Sequence, residues 1–346
     1  MKHQTTRYGE IPFYKIGTFG NTADAFISKK LFLEYKTKYS FPKKGDILIS
    51  ASGTIGRAVI YDGKPAYFQD SNIVWIDNDE TLVKNDFLFY AYSNVKWNTE
   101  HTTILRLYND NFRNTLIPLP PLNEQIAIAN ILSDLDRYLC ALDALILKKE
   151  GVKKSLSFEL LSQRKRLKGF NQAWQRVRLG DIANYLISNL SVEQITQQGE
   201  IKVYDVNNFI GYTDTTFISD KPYISIVKDG SVGRVRILPP KTNILSTMGA
   251  LIANHRTTTE FLFYLLSNFD FKNFTSGSII PHIYFKDYKE KTIFLPPLNE
   301  QSAIANILSA LDNEIASLKN KKRQFENIKK ALNHDLMSAK IRVLEK

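Results

Sequence analysis

Two stretches of the chain carry apolar residues at alternating spacings of four and three, which predicts long helices with one apolar seam each. The first stretch runs from Ile128 to Leu167 and the second from Ile304 to Leu336. The predicted seam positions are Leu132, Leu135, Leu139, Leu142 and Ile146 in the first stretch, and Leu308, Leu311, Ile315, Leu318 and Phe325 in the second. Each helix is predicted to span about 45 residues, or about 65 Å.

Both stretches begin with nearly the same sequence. Residues 119–136 recur as residues 295–312, a displacement of 176 positions. Because proline cannot lie inside a helix, each helix is predicted to begin just after its Pro-Pro pair, with Asn123 as the first cap. A basic run followed by Gly169 predicts the end of the first helix. The chain is therefore predicted to contain two copies of one structural unit.

A single helix of this kind cannot bury its own seam. One interpretation pairs the two helices within the chain, and the two-fold repeat then makes them antiparallel. The alternative is that each helix packs on its own globular domain. The equal length and identical phase of the two seams favour the first interpretation.

The repeat also extends into the parts of the chain that precede each helix. Residues 53–57 match residues 230–234, and residues 87–94 match residues 261–268. Short β-branched and aromatic runs alternate there with one amphipathic helix, which is typical of mixed α/β domains. The entry segment Trp174–Ile182 of the second half has no counterpart in the first. The predicted fold class is α+β, with two mixed α/β domains separated by two long antiparallel helices in a pseudo-two-fold repeat.

The composition limits the classes of function. The chain has 346 residues and a net charge of +11, which favours a polyanionic partner, although a merely solvated basic surface is the alternative. It contains no run of about eighteen apolar residues, so no membrane span is predicted. The single Cys140 excludes an internal disulfide, and its place beside the seam predicts a small packing residue. The predicted localisation is the cytoplasm.

An enzymatic site is not evident in the sequence. Neither the glycine-rich dinucleotide motif nor the P-loop motif is present. Five dispersed histidines and one cysteine do not form a metal-binding pattern. Leu119-Pro-Pro-Leu122 offers neither the polar acceptor nor the aromatic ring that a target amine would need. No catalytic residue, metal or cofactor is therefore predicted.

These motifs resemble the specificity subunit of Type I restriction–modification systems. The resemblance covers essentially the whole chain. Its most specific element is the Leu-Pro-Pro-Leu-Asn-Glu-Gln helix start, which is present twice. The glycine turns and the opening segment 174–182 are the other two marks. The resemblance implies a non-enzymatic subunit that binds double-stranded DNA, in which two target-recognition domains each read one half of a split sequence. The helices would set the gap between the halves.

The resemblance also implies boundaries and partners. The target-recognition domains would be residues 1–118 and 170–294, and the spacer helices residues 119–169 and 295–346. Two methyltransferase subunits would dock on the chain, and restriction subunits would join the full complex. The candidate docking residues are Pro120, Pro121, Asn123, Glu124 and Gln125, with Pro296, Pro297, Asn299, Glu300 and Gln301 in the second copy.

The candidate DNA-binding residues lie in the glycine turns and in the loops where the two copies differ, and the basic pair Lys43-Lys44 beside Tyr39 is a further candidate. A glycine turn lets backbone amides approach a phosphate, and Arg, Asn, His and Lys side chains pair with base edges. The candidates in the first half are Lys43, Lys44, Gly53, Gly56, Arg57, Arg106, Tyr108, Asn109 and Asn111. Those in the second half are Gly230, Gly233, Arg234, His282, Tyr284 and Lys286. For each motif the alternative is an ordinary turn or polar surface loop.

Two other classes of function remain open from the residues alone. One is a coiled-coil adaptor that binds only proteins. The other is a DNA methyltransferase or nuclease with a cryptic site.

Overall fold

The structure is a computed structural model that describes residues 4–68, 72–97 and 106–344. The chain divides into two compact units. Unit 1 comprises Met1–Asp143 and Asn320–Lys346, and unit 2 comprises Ala144–Lys319. Each unit therefore contains a part of both long helices. The predicted boundaries at residues 118, 169 and 294 separate the helices from the globular parts instead, and they stay a prediction.

Among its described residues, unit 1 contains two small sheets and three short helices. Its strands are β1 (Ile11–Tyr14), β2 (Ala25–Ile27), β3 (Ile47–Ser50), β4 (Ala58–Ile60), β5 (Tyr67–Phe68) and β6 (Ile73–Ile76). Its helices are α1 (Lys29–Lys38), α2 (Asn85–Tyr92) and α3 (Asn109–Arg113).

The two sheets of unit 1 differ in how their strands pair. In the first sheet β1 lies between an antiparallel β2 and a parallel β5. In the second, β3 lies between β4 and β6, and both pairings are antiparallel. All four residues of β3 are buried, as its run of branched aliphatic residues predicts for a central strand.

A long helix follows, α4 (Leu122–Leu161), whose second part belongs to unit 2. The strands of unit 2 are β7 (Gln175–Arg178), β8 (Ala183–Ile187), β9 (Ile201–Tyr204), β10 (Phe209–Thr213), β11 (Tyr223–Val227), β12 (Val235–Leu238), β13 (Thr242–Ile244), β14 (Met248–Ala253), β15 (Thr275–Ser276), β16 (His282–Ile283) and β17 (Thr292–Leu295). Its short helices are α5 (Thr259–Ser267) and α6 (Phe285–Tyr288), and its 3-10 turns are Leu179–Asp181, Val192–Gln194 and Lys272–Phe274. The last helix is α7 (Leu298–Met337).

The sheets of unit 2 repeat those of unit 1 and extend them. The order β10-β9-β13 matches β2-β1-β5, again with one antiparallel and one parallel pairing. The order β12-β11-β14 matches β4-β3-β6, but in unit 2 a fourth strand, β8, pairs with β14. Two-stranded pairs, β7 with β17 and β15 with β16, complete the unit.

The two long helices run antiparallel within each unit. Interhelical ion pairs show the direction, because the residue number rises along one helix as it falls along the other. The pairs are Asp136–Lys329 and Asp143–Lys322 in unit 1, and Lys149–Glu314, Glu150–Lys319 and Lys153–Asp312 in unit 2. The predicted fold class, with two long antiparallel helices, is confirmed.

The apolar seam also contacts the globular part of each unit. In unit 1, Ile128 and Leu132 of α4 cluster with Phe87 of α2 and Leu336 of α7. The predicted seam residues that are buried are Leu132, Leu142, Ile146, Leu308 and Ile315. Those that are half-buried are Leu135, Leu139, Leu311, Leu318 and Phe325. The helices therefore pair with each other and pack on their own domains, so the two alternatives are combined.

Four local predictions about the helices are wrong. Helix α4 begins at Leu122, so Asn123 lies in the first turn instead of at the cap. It ends at Leu161, well before Gly169, because Gln163 adopts a positive φ of 62° and turns the chain. Cys140 is exposed and does not pack in the seam. Both long helices have 40 residues, somewhat fewer than predicted.

No helix among the described residues is long and apolar enough to span a membrane.

Candidate nucleic-acid interface

The two glycine turns, residues 52–57 and 229–234, close with the same backbone hydrogen bonds. In unit 1 the Gly56 amide donates to the Ser50 carbonyl at 3.0 Å. In unit 2 the Gly233 amide donates to the Val227 carbonyl at 2.9 Å. Each turn follows the buried central strand of its sheet. The repeat is therefore preserved down to single hydrogen bonds.

Glycine is required at these turns for two reasons. Gly53, Gly56, Gly230 and Gly233 all have positive φ angles between 68° and 83°, which other residues rarely adopt. In addition, a Cβ at Gly56 would lie 2.3 Å from Nε1 of Trp97, and a Cβ at Gly233 would lie 2.6 Å from Cδ2 of Phe271. An aromatic ring is packed against each turn. The fold therefore uses these glycines, whatever the turn binds.

The arginines that end the two turns differ in their contacts. Both are exposed. The Nη1 atom of Arg57 donates to the Phe19 carbonyl at 3.0 Å and so ties the turn to the loop before β2. Arg234 makes no side-chain hydrogen bond to the described part of the chain, and the residue is exposed. Of the two, Arg234 is the one whose donors are available to a ligand.

Each glycine turn lies beside the candidate reading loop of its own unit. An antiparallel bridge joins Ser52 to Arg106 in unit 1, and another joins Asp229 to His282 in unit 2. Ser52 and Asp229 are equivalent in the repeat, as are Arg106 and His282. The structure thus brings together, in both copies, two segments that the sequence separates by about fifty residues.

Side chains at these bridges are held by short polar contacts. In unit 1, Oδ1 of Asn72 accepts hydrogen bonds from the Ser52 hydroxyl at 2.7 Å and from Nη2 of Arg106 at 3.3 Å. In unit 2, Nδ1 of His282 lies 2.6 Å from Oδ1 of Asp229. Asn72 is not among the predicted site residues, and nothing in the sequence marks it. Asp229 begins the second glycine turn in the sequence, but its contact with His282 depends on strand pairing.

The exposed part of the unit 1 loop is the start of α3. Tyr108 and Asn109 are exposed, with no side-chain hydrogen bond of Asn109 among the described residues. Asn111 is partly used by the fold, since its Oδ1 accepts from the Tyr108 amide at 2.6 Å and caps the helix. Asn109 is therefore the loop residue best placed to present both an amide donor and an acceptor to a ligand.

The unit 2 loop presents a stacked set of aromatic and cationic groups. The His282 and Tyr284 rings are stacked with centroids 6.5 Å apart. The Lys286 ammonium lies 5.5 Å from the centre of the Tyr284 ring. Tyr284 and Lys286 are exposed. Stacked rings and a lysine are the groups that contact bases and phosphates in nucleic-acid complexes.

The hairpin of β15 and β16 carries two exposed isoleucines that are not among the predicted site residues. Ile279 is 93% exposed, and Ile280 beside it is also exposed. They lie in the turn between the two strands, with Pro281 between them and His282. Their counterparts in unit 1 fall at residues 103–104, outside the described residues. A pair of isoleucines in the sequence does not by itself indicate a surface site, because only the structure shows that the two side chains are exposed.

Lys43 and Lys44 are not part of this surface. They precede β3, whereas the glycine turn follows it, so they lie at the opposite end of that strand. Lys43 donates to Asp77 at 3.1 Å, and this hydrogen bond raises the pKa of Lys43. The structure therefore brings together the turn and the reading loop but leaves these two lysines apart.

The helix starts hold their Glu and Gln side chains inside the units. Gln125 donates to the carbonyls of Leu82 and Pro120, and Gln301 donates to those of Arg256 and Pro296. All four Glu and Gln side chains of the two motifs, at 124, 125, 300 and 301, are buried. Gln125 thus connects the start of α4 to the loop before α2, and Gln301 connects the start of α7 to the loop before α5. The residues of the motifs that face solvent are Pro121, Leu122, Asn123 and Ile126, and Leu298, Asn299 and Ser302.

Each buried Glu binds an arginine from the segment that follows a long helix. Nε and Nη2 of Arg342 donate to the two carboxylate oxygens of Glu124, and Arg166 donates to Glu300 in the same way. The hydrogen bond from Arg342 holds the pKa of Glu124 below its usual value. Glu300 also accepts from Nε1 of Trp174 at 2.9 Å. These pairs explain why the chain leaves the helix before Arg166.

A second repeated contact ties α2 and α5 to the long helices. The Tyr90 hydroxyl donates to Asp136 at 2.8 Å, and the Tyr264 hydroxyl donates to Asp312 at 2.9 Å. Burial, together with the hydrogen bond to the carboxylate, raises the pKa of both tyrosines well above the ordinary value. Each aspartate also binds a lysine of the other long helix, so these contacts fix helix pairing and domain packing together.

Groups of three or more His, Cys, Asp and Glu side chains that could hold a metal ion do not occur among the described residues.

Comparisons with known proteins confirm the family resemblance. The profile of the family described as "Type I restriction modification DNA specificity domain" matches residues 1–149 and 171–327. A protein of Haemophilus influenzae named as a type I restriction enzyme specificity subunit is 65% identical over 133 residues, covering 38% of this chain and 34% of that protein. The MjaX specificity subunit of Methanocaldococcus jannaschii is 28% identical over 338 residues, covering 86% and 79% of the two chains.

One solved structure supports the fold. The crystal structure of the Type I restriction–modification system S subunit from M. genitalium aligns with a TM-score of 0.64 at 20% identity. The alignment covers 97% of this chain and 91% of that chain.

Proposed function

The chain belongs to the family of Type I restriction modification DNA specificity domains, and we propose that it reads a split DNA target, one half with each unit. The observation that carries the proposal is the pairing of a constant glycine turn with a variable loop. The turn has the same hydrogen bonds in both copies, whereas the loop presents Asn109 in one and Tyr284 and Lys286 in the other. A shared turn suits backbone contacts, and a variable loop suits base contacts.

The chain acts in this proposal as a subunit without catalytic activity of its own. The net charge of +11 favours binding to the phosphate backbone. Two methyltransferase subunits would dock on the two helix starts, and restriction subunits would complete the assembly, in the cytoplasm where chromosomal DNA is accessible. Since the Glu and Gln side chains are buried, docking would use the exposed motif residues, such as Leu122 and Ile126 in the first copy.

The test is the methylation pattern of DNA in cells that co-express the chain with its modification subunits. Asn109→Ala should relax the base preference at one position of one half of the target, and Lys286→Ala should affect only the other half. Loss of a bidentate base contact costs about 1–3 kcal/mol, or roughly 5–150-fold in discrimination. A lysine that contacts phosphate instead would weaken methylation of all targets uniformly.

Lys64→Ala is the matched control, because Lys64 is an exposed cation of unit 1 far from both loops in sequence. It should leave the pattern unchanged. The half-site assignment would be wrong if Asn109→Ala and Lys286→Ala changed both halves alike, or if neither changed the pattern.

A further inference from the structure

The turn between β15 and β16, residues 277–281, carries two apolar side chains into solvent. Ile279 is 93% exposed and Ile280 is 55% exposed. Single exposed apolar residues are common on protein surfaces and need no explanation. This pair differs from them in the rigid support of its hairpin and in the charge of the segment around it.

The hairpin is held against the glycine turn of unit 2 by backbone hydrogen bonds. The Gly230 amide donates to the Pro281 carbonyl, and the Ile283 amide donates to the Lys228 carbonyl, both at 2.9 Å. The Ile283 side chain is buried in the core of unit 2. The base of the hairpin is therefore fixed, and the two isoleucines are presented from a defined position beside the candidate reading loop.

The turn that carries the isoleucines is itself constrained at both ends. Gly277 has a positive φ of 90°, and a Cβ at this position would collide with the carbonyl oxygen of Ile280. At the other end, the ring of Pro281 fixes its own φ. A surface that is ordered before binding loses little conformational entropy when a ligand contacts it.

The segment around the turn is free of acidic residues and carries cations. Residues 271–286 contain no aspartate or glutamate, but they contain Lys272 and Lys286, which are both exposed. In the described part of the chain, the carboxylates that hydrogen-bond to this segment are Asp229, which binds the histidine of β16, and Asp270, which accepts from the Lys272 amide at 3.0 Å. An apolar pair between cations suits a partner that combines negative charge with stacked rings, and duplex DNA has both.

Two isoleucines on a narrow turn fit the space between two base pairs better than the surface of another protein. A stable protein interface covers about 800 Å² of each partner, which is far more than two side chains provide. Proteins that bend DNA, by contrast, insert one or two apolar side chains between base pairs, and isoleucine is among the residues that they use.

We propose that Ile279 and Ile280 insert between two base pairs in the half of the DNA target that unit 2 reads, and that they kink the duplex there. The inference rests on the proposed function, because it requires DNA at the unit 2 loop. Insertion separates two stacked base pairs, which is easiest at the flexible pyrimidine–purine steps. Unit 2 thereby selects a step by its deformability, in addition to any base that Tyr284 or Lys286 contacts.

The first experiment measures the affinity of the chain, assembled with its modification subunits, for duplexes that carry the target mapped from methylated DNA. A single mismatched base pair is moved step by step through each half of the target. A mismatch at a base that the protein contacts should weaken binding. At the step that the isoleucines enter, a mismatch should strengthen binding about tenfold or more, because it has already weakened the stacking.

Variants of the two isoleucines identify the cause of such a gain. The double variant Ile279→Ser with Ile280→Ser should lose the gain and keep the losses at other positions, whereas Ile279→Leu with Ile280→Leu should keep both. Leu147→Ala is the matched control, since Leu147 is an equally exposed aliphatic residue of unit 2 on α4. A mismatch at the methylated base itself should strengthen binding of every variant, because a methyltransferase extrudes its target base.

Bending of the same duplex is a second measurement. Energy transfer between dyes at the duplex ends should show a bend of about 20–90° with the wild type and a smaller bend with the serine variant. An equal mismatch gain and an equal bend in both proteins would overturn the inference and leave DNA recognition intact. Failure of the wild type to bind the mapped duplex would overturn the proposed function as well. Loss of modification subunits from the serine variant in native mass spectrometry would show that the isoleucines contact a protein instead.

Discussion

The Glu124–Arg342 and Glu300–Arg166 pairs are the same contact made at equivalent positions of the two copies. Glu124 and Glu300 occupy the same place in the repeat, and each accepts two hydrogen bonds from an arginine that follows a long helix. The sequence marks these glutamates only as part of a helix start that occurs twice in the chain. Their burial could not be predicted from it, because the partner arginine lies more than a hundred residues away.

The Glu124–Arg342 pair predicts a pH dependence of stability for unit 1. The pKa of Glu124 is lowered in the folded chain, so the pair stabilises the fold above the unfolded pKa of about 4.3 and loses this contribution as the pH falls through the folded value. Thermal unfolding of the wild type and of Glu124→Gln should therefore differ most near neutral pH and converge in acid. Glu34→Gln, at an exposed position of α1, should follow the wild type. A difference that grew in acid would contradict the assignment.

At the scale of elements, the long helices were the most predictable part of the molecule. Their heptad seams and proline starts are local signals that packing reinforces. The predicted end of α4 is wrong, because Gly169 is a strong stop signal but the chain turns earlier at Gln163. Ala339 repeats this at the end of α7, with a φ of 56°. The turn there serves the arginine that must reach back to a buried glutamate, a long-range demand that no local pattern shows.

Leu132 and Leu308, which are equivalent in the repeat, provide a test of the seam. Both side chains are fully buried among the long helix and the globular part of their unit. Replacement of either by alanine leaves a cavity and should lower the free energy of unfolding by about 2–5 kcal/mol. Leu147→Ala is the control, since Leu147 is 71% exposed, and should change it by less than about 0.5 kcal/mol. Denaturant unfolding measures the free energy of unfolding of each variant. An equal decrease for the seam variants and for Leu147→Ala would contradict the packing of the seam.

At the scale of the whole molecule, the duplicated plan and the fold class could be predicted from the sequence because the repeat is nearly literal in its helix starts. The reading surface could be predicted only in part. The glycine turn and the variable loop were recognised separately, but the bridges between Ser52 and Arg106 and between Asp229 and His282 arise from strand pairing. The basic pair Lys43-Lys44 beside Tyr39 is a separate candidate in the sequence, and the structure places it at the other end of β3 from the glycine turn.

The proposal that the helices set the gap of a split target can be tested by lengthening them. Seven residues inserted in both helices, after Asp143 in α4 and after Lys319 in α7, preserve the heptad phase and add about 10 Å to each. The unspecified gap should lengthen by up to about three base pairs, at about 3.4 Å each, with both half-sites retained. Mapping of methylated sites in co-expressing cells measures this.

The control for the helix insertion is the same insertion in α4 alone. It shifts the register of the interhelical ion pairs and should abolish recognition. An unchanged gap after the paired insertion would refute the idea that the helices determine it.

The discontinuity of unit 1 has a consequence for the synthesis of the protein. Unit 2 is one uninterrupted stretch, complete once Lys319 has left the ribosome. Unit 1 is complete only when residues from the end of α7 and beyond have been made. Lys329 and Arg342 bind its carboxylates Asp136 and Glu124, and Leu336 forms part of its core. The half that is translated first is therefore the half that is finished last, and its apolar surface must stay protected while the remainder of the chain is made.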